Sequence, residues 1–165
     1  MTKLLPVIIS IILLVSVGAA GQKKKETRVN FAPVEKFDPK RDAAKDIRNA
    51  CKEAKLSKRK VLLDIGGEWC IWCRRLDTFF IKNKDVAEYL HKNYVVVKVN
   101  YSEENKNEKV LLKYPEIPGY PHFFVLNADG SLLHSQETGE LEAGKGHDHD
   151  KVLAFLKKWA GEKKE

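Results

Sequence analysis

The sequence predicts an α/β domain built on one central mixed sheet, and three observations carry that reading. Apolar spacing alternates between a helical period and short β-branched runs, in the order helix, strand, helix, strand, helix, strand, strand, helix. The early alternation predicts parallel strands joined by helical crossovers. The last two strands flank Asn127-Ala128-Asp129-Gly130, whose Asp-Gly step supplies the positive backbone angle of a hairpin and so predicts an antiparallel pair. At 165 residues with 43% hydrophobic and 32% charged side chains, the chain suits one domain with extra chain at an end. That balance excludes a fully disordered polymer, a multi-pass membrane protein and a two-domain enzyme.

Each element has its own signal. Ala43, Ala44, Ile47, Ala50, Cys51 and Ala54 mark one face of a helix from Asp42 to Leu56. Cys51 sits on that face and reads as a small buried thiol. Val61 to Ile65, closed by Gly66 and Gly67, predicts a buried strand. Ile71, Trp72, Leu76, Phe79 and Phe80 then predict a helix over 70–81, with Asp85 capping a continuation through Val86, Tyr89 and Leu90. Tyr94 to Val99 predicts a second buried strand, and the polar run SEENKNEK leads into a short helix around Val110 to Tyr114. His122 to Leu126 and Ser131 to His134 form the hairpin, and Asp150 to Trp159 closes the fold as an amphipathic helix.

The ends divide from this unit. Leu4 to Ala20 is an apolar run behind Lys3 with a small-residue finish, which reads as a secretory signal cut after Ala19 or Ala20. The alternative is an uncleaved anchor, since such a run is at the lower length limit of a membrane span. The expected organisation is therefore a signal or anchor over 1–20, a locally docked linker over 21–40, the folded domain over 41–160 and a charged tail over 161–165. The domain is expected to be periplasmic or otherwise exported, with residues 4–20 as a membrane tether if uncleaved.

Three cysteines exclude a disulfide-dense scaffold and focus the chemistry on one pair, Cys70 and Cys73. A Cys-x-x-Cys pair at a helix start behind a buried strand is a signature of thiol redox chemistry. The helix N-terminus offers unpaired N–H groups and positive potential, which favour thiolate at Cys70. One turn on, Cys73 can attack a mixed disulfide formed on Cys70. Arg74 and Arg75 either add positive potential or form an exposed charged face.

Residues 61 to 126 resemble the thioredoxin superfamily. The run VLLDIGGEWCIWC is similar to the family's active-site strand and loop, with Trp69 where the family has a tryptophan before the first cysteine. Asp64, six residues before Cys70, matches the family's buried acid, and Lys98 on the next strand matches its lysine partner. GYPHFFVLNADG resembles the strand that begins with a cis proline, making Pro121 the cis residue and Tyr120 its neighbour, with Pro118 as a nearby rival. The resemblance implies a thioredoxin-like three-layer α/β/α fold with a central mixed sheet. It implies that Asp64 assists proton transfer at Cys73, and that Trp69, Tyr120 and Pro121 shape the substrate groove. Trp72 is a substrate-binding candidate on its own chemistry, an aromatic surface beside the nucleophile that can grip a polypeptide, with packing of the helix as the alternative. Two departures matter. Ile71 and Trp72 stand where thioredoxins carry Gly-Pro and strong oxidants often carry histidine, which favours a reductase or isomerase over a strong oxidant. The WCxWC form resembles the exported thioredoxin-like subgroup.

Other motifs weigh less. GHDHD offers His147 and His149 but no four-ligand zinc site, so no metal is expected, and Asp148 or Asp150 is read as a helix cap. His122 beside Pro121 is read as structural. No dinucleotide or phosphate-binding glycine pattern is present, and the net charge of +7 is spread among acids without a nucleic-acid face. The expected function is thiol-disulfide exchange with protein dithiols and disulfides, without an organic cofactor. A redox partner that recycles the dithiol is expected, and the chain should act as a monomer. The alternative is a binding or chaperone-like module whose cysteine pair is only structural.

Overall fold

The computed structural model describes residues 32–161. The signal or anchor reading of 1–20, most of the linker and nearly all of the charged tail lie outside the described residues. No helix among the described residues is long and apolar enough to cross a membrane.

Helix α1 (Ala43–Ser57) begins where the Asp42 carboxylate accepts the Lys45 N–H at 2.9 Å, and it ends at Lys58, which turns left-handed at φ 55°. Strand β1 (Lys60–Gly66) follows, then α2 (Ile71–Lys82), α3 (Lys84–Asn93) and β2 (Tyr94–Asn100). A short helix α4 (Glu108–Leu111) leads through a loop to β3 (His122–Leu126) and β4 (Leu132–Glu137). A 3-10 turn over Thr138–Leu141, a small hairpin of β5 (Glu142–Ala143) and β6 (Gly146–His147), and helix α5 (His149–Ala160) complete the fold.

The four-stranded sheet runs in the order β2-β1-β3-β4, with β1 parallel to β2 and antiparallel to β3, and β3 antiparallel to β4. Alternation of side chains along β1 builds two cores. Val61, Leu63 and Ile65 join Ala50, Ala54, Val97 and Phe124 on the α1 face. Leu62 joins Leu76, Phe79, Val86, Leu90, Phe155 and Leu156 on the face covered by α2, α3 and α5. This is the expected three-layer α/β/α arrangement around a mixed sheet. Each of the buried Val, Leu, Ile and Phe side chains among these contributes about 1.5–3 kcal/mol.

Three local expectations are corrected. The helical segment after Cys70 does not continue through Asp85 as a capped extension. It breaks at Asn83, whose side-chain amide and backbone N–H both donate to the Phe79 carbonyl, so the last turn of α2 is satisfied there and a new helix starts. Asp85 lies in the first turn of α3 and bonds His149 at 2.8 Å. The short helix sits at Glu108–Leu111 and reaches Tyr114 only through a turn. Cys51 is only partly buried, packing at the edge of the α1 core.

The C-terminal part of the 21–40 segment packs onto the domain. Val34 bridges in parallel to Val97 at the outer edge of β2, and Phe37 is buried. At the other end, Asp148 caps α5 by accepting the Lys151 N–H at 2.9 Å. Asp148→Ala should lower stability by about 1 kcal/mol in urea denaturation, while Asp150→Ala, lacking that bond, should change it less.

Candidate active site

On β1 the side of the sheet facing α2 carries Leu62, then Asp64, then Gly66. The chain leaves this strand through Gly67 and Glu68 and enters α2 with Cys70 as the capping residue. Its sulfur accepts the Cys73 N–H at 3.1 Å, so the first cysteine already occupies the place where a negative atom is favoured. Cys70 and Cys73 form a disulfide with Cα atoms 5.3 Å apart. They are only 4% and 2% exposed, against the ring of Phe37. Gly66 makes this approach feasible: a Cβ there would stand 2.5 Å from the Cys73 sulfur and 3.1 Å from Phe37 Cζ.

Asp64 is buried, and one of its oxygens has no hydrogen-bond partner among the described residues. Desolvation pushes its carboxyl up to about 7; the Lys98 ammonium opposes this and the Asp77 carboxylate adds to it. Lys98 lies opposite Asp64 in the β1–β2 register, as the resemblance implied, with its Nζ 3.9 Å from Asp64 Oδ2. Its close contact, however, is the Asp77 carboxylate, and it also stands over the Phe37 ring at 4.5 Å. The lysine is therefore shared, and Asp64 remains only weakly compensated.

The Tyr120–Pro121 peptide bond is cis, and the Pro121 carbonyl accepts the Thr138 hydroxyl. Tyr120 stacks on Tyr101 with centroids 4.8 Å apart and meets the edge of Trp69 at 5.9 Å. Burial first, and Tyr101 second, push the Tyr120 hydroxyl up to about 12. The Trp69 indole N–H donates to the Tyr101 carbonyl at 2.7 Å, which fixes a ring that is still 56% exposed. Trp72 is half-buried, with His147 edge-on at 6.0 Å and the Arg75 guanidinium over its face at 4.4 Å. Between the cysteines it is Ile71, 49% exposed, that presents an apolar side chain outward. Arg74 points back to the Glu68 carbonyl at 2.5 Å.

The GHDHD motif is split by the fold. His147 is buried against Trp72 and Phe79, its imidazole pushed down by desolvation, while His149 lies between the Asp85 and Asp150 carboxylates, which raise it. Among the described residues no three His, Cys, Asp or Glu side chains gather as a metal site would require. His122 is buried, bonds Ser135 Oγ at 2.8 Å, and is lowered to about 4, mainly by desolvation, so it stays neutral near pH 7. Asp64, Lys98, Cys70, Cys73, Trp69, Trp72, Tyr120 and Pro121 thus gather at one end of the sheet.

Sequence reading missed three neighbours. Asp77 is four residues after Cys73 on the same helix face, a spacing that could have found it. Phe37 belongs to the segment taken as linker, and nothing in its spacing foretold contact with the disulfide. His147 reaches Trp72 only because of the β5–β6 hairpin, whose short strands carry no period.

A family model described as thioredoxin-like matches residues 42–128, more than half of the chain. Among curated proteins, the thiol:disulfide interchange protein DsbD of Pseudomonas fluorescens is 28% identical over 115 residues, covering 69% of this chain and 18% of that protein. DsbD of Klebsiella pneumoniae is 27% identical over 99 residues, 60% of this chain and 16% of that protein. The chain therefore spans less than a fifth of the length of these relatives. Among solved structures, a disulphide isomerase from Xylella fastidiosa has a TM-score of 0.64 at 27% identity, covering 74% of this chain and 94% of that one. The oxidised C-terminal domain of DsbD from Neisseria meningitidis has a TM-score of 0.54 at 20% identity, covering 72% and 96%, a likeness of fold alone.

Proposed function

The chain belongs to the thioredoxin-like family, and from that premise we propose that it is a thiol-disulfide oxidoreductase that reduces or isomerises disulfides of exported proteins through Cys70 and Cys73. The observation that carries the proposal is a cysteine pair at a helix N-terminus, packed on Gly66, which lies two residues along β1 from the buried, under-compensated Asp64. In the reduced protein the Cys70 thiolate attacks one sulfur of a substrate disulfide. A bond forms between Cys70 and that sulfur, and the other substrate sulfur leaves as thiolate. Asp64, as carboxylate, takes the Cys73 thiol proton, directly or through one water. The Cys73 thiolate then attacks Cys70, releasing the second substrate thiolate and leaving the Cys70–Cys73 disulfide. Two electrons have passed to the substrate, and a partner dithiol must return them.

Trp69, Tyr120, Trp72 and Pro121 form the collar on which the substrate backbone rests, and Lys98 holds Asp64 in its poised state. The direction toward reduction or isomerisation is supported by what surrounds Cys70. No histidine stands between the cysteines, and Arg74 is engaged with the Glu68 carbonyl, so the helix terminus is the principal support for thiolate. Export follows from the apolar run over residues 4–20, with cleavage or tethering as its two outcomes.

The test joins a potential to a trap. The protein should catalyse insulin disulfide reduction, with a potential less negative than the roughly −300 mV of structural disulfides. Cys73→Ala should accumulate mixed disulfides between Cys70 and partner proteins, released by dithiothreitol. A potential below about −300 mV together with no turnover would instead make the pair a structural clip.

A further inference from the structure

Beside the cysteine pair lies a groove of about 490 Å³, with Phe37, Trp69 and Tyr101 among the rings that form its walls. Glu68, Glu103 and Glu104 line the same groove, and no lysine or arginine among the described residues lines it, although the chain as a whole carries +7. The carboxylates are only partly engaged. Glu68 accepts the Phe37 N–H at 3.3 Å, Glu104 accepts the Ser102 hydroxyl, and Glu103, 94% exposed, faces Lys106 at 3.9 Å. An aromatic wall with an acidic rim suits a side chain that has an apolar stem and a cationic head.

Resting on the oxidoreductase reading, we propose that this groove selects extended protein substrates carrying a lysine or arginine within two residues of the reacting cysteine. The disulfide is nearly closed to solvent, so a substrate must lie across the exposed faces of Trp69 and Ile71 to reach it. Trp69 is at once the neighbour of Cys70 and a wall of the groove, so flanking residues of a bound segment arrive there. Attraction to the carboxylates favours a cation and repels an acid, a distinction that salt weakens.

The test uses the reduced full-length chain and peptides containing one cysteine closed as a methyl disulfide, with Lys, Ala or Glu at each of the two positions on either side. Cys70 attacks the peptide sulfur, methanethiolate leaves, and Cys73 then releases the peptide thiol. At one or more positions, kcat/KM should fall in the order Lys, Ala, Glu, with a Lys-to-Glu ratio of about tenfold at low salt. That ratio should shrink to about twofold in 0.5 M salt and in Glu103→Gln/Glu104→Gln, which spares the Glu68 contact to Phe37. A ratio near one at every position, with the alanine peptides reduced normally, overturns the groove and leaves the oxidoreductase standing. A ratio that survives the double substitution overturns it as well. No exchange with any peptide overturns both readings.

Discussion

Asp64→Asn is expected to make the protein more stable above neutral pH and a slower oxidoreductase. The carboxyl is buried and weakly compensated, and its native value of about 7 stands above the ordinary 3.8 because burial disfavours its charge. Between those values the native state binds more protons than the unfolded chain. Stability therefore falls as pH rises from about 4 to about 7, and is level above that. The gap corresponds to at most about 4 kcal/mol at roughly 1.4 kcal/mol per unit, and local water entry reduces it, so a gain of about 1–3 kcal/mol is expected for the amide at pH 8. At pH 4 the two proteins should be about equally stable. Urea titrations at both pH values check this; an equal effect at both would mean that charge burial is not the cause.

The catalytic consequence has the opposite sign. A base with a value near neutrality is well matched to deprotonating a thiol at physiological pH, and losing a positioned base costs about 10²-fold or more. Release of the second substrate thiolate should slow by that amount, while the first attack by Cys70 should change little. In the wild type the release rate should rise with pH through an inflection near 7, and in the variant that inflection should vanish. A variant with an unaltered pH profile would remove Asp64 from the proton path and leave its burial without a chemical purpose.

How much of this could be read beforehand depends on whether a residue announces itself locally. Cys70 and Cys73 sit at a strand-to-helix junction with helical periodicity behind them, so the pair, its cap position and its strand were legible. Asp64 and Lys98 were legible through the family resemblance, and the strand register brings them opposite each other. What the sequence could not tell is how Lys98 divides itself: side-chain competition between Asp64 and Asp77 is settled by packing of α2 on the sheet. The break at Asn83 was hidden because the apolar stripe runs on through both helices, and only one asparagine side chain folding back on Phe79 interrupts the ladder. The β5–β6 hairpin is two residues per strand, too short for any period, yet it delivers His147 to Trp72. Trp72 illustrates the same limit, since its packed and gripping roles have identical sequence signals and the fold gives it a half-buried place.

Gly66→Ala is the substitution expected to disturb the redox centre most while leaving every reacting atom in place. The glycine does not have a positive φ, so its role is closeness and not backbone freedom. An alanine methyl would lie 2.5 Å from the Cys73 sulfur and 3.1 Å from Phe37 Cζ. Phe37 can yield, because it lies on a peripheral segment tied by the Val34 bridge and the Glu68 contact. The sulfur cannot yield while it is bonded to Cys70. Overpacking of this kind costs about 1–3 kcal/mol in the oxidised protein, more than the roughly 0.4–1 kcal/mol that Gly→Ala gains through the unfolded chain. On reduction the Cys73 side chain can rotate away, so the reduced form loses less. A variant that penalises the disulfide more than the dithiol must be easier to reduce, and each 1.4 kcal/mol of difference raises the potential by about 30 mV. Gly146→Ala supplies the control, because a Cβ there meets nothing within 4 Å among the described residues. Equilibration with glutathione should show a less negative potential for Gly66→Ala and no change for Gly146→Ala. An unchanged potential in both would mean that the β1 backbone shifts to keep the sulfur contact at no net cost, and that the close packing of Gly66 is not what sets the balance between disulfide and dithiol.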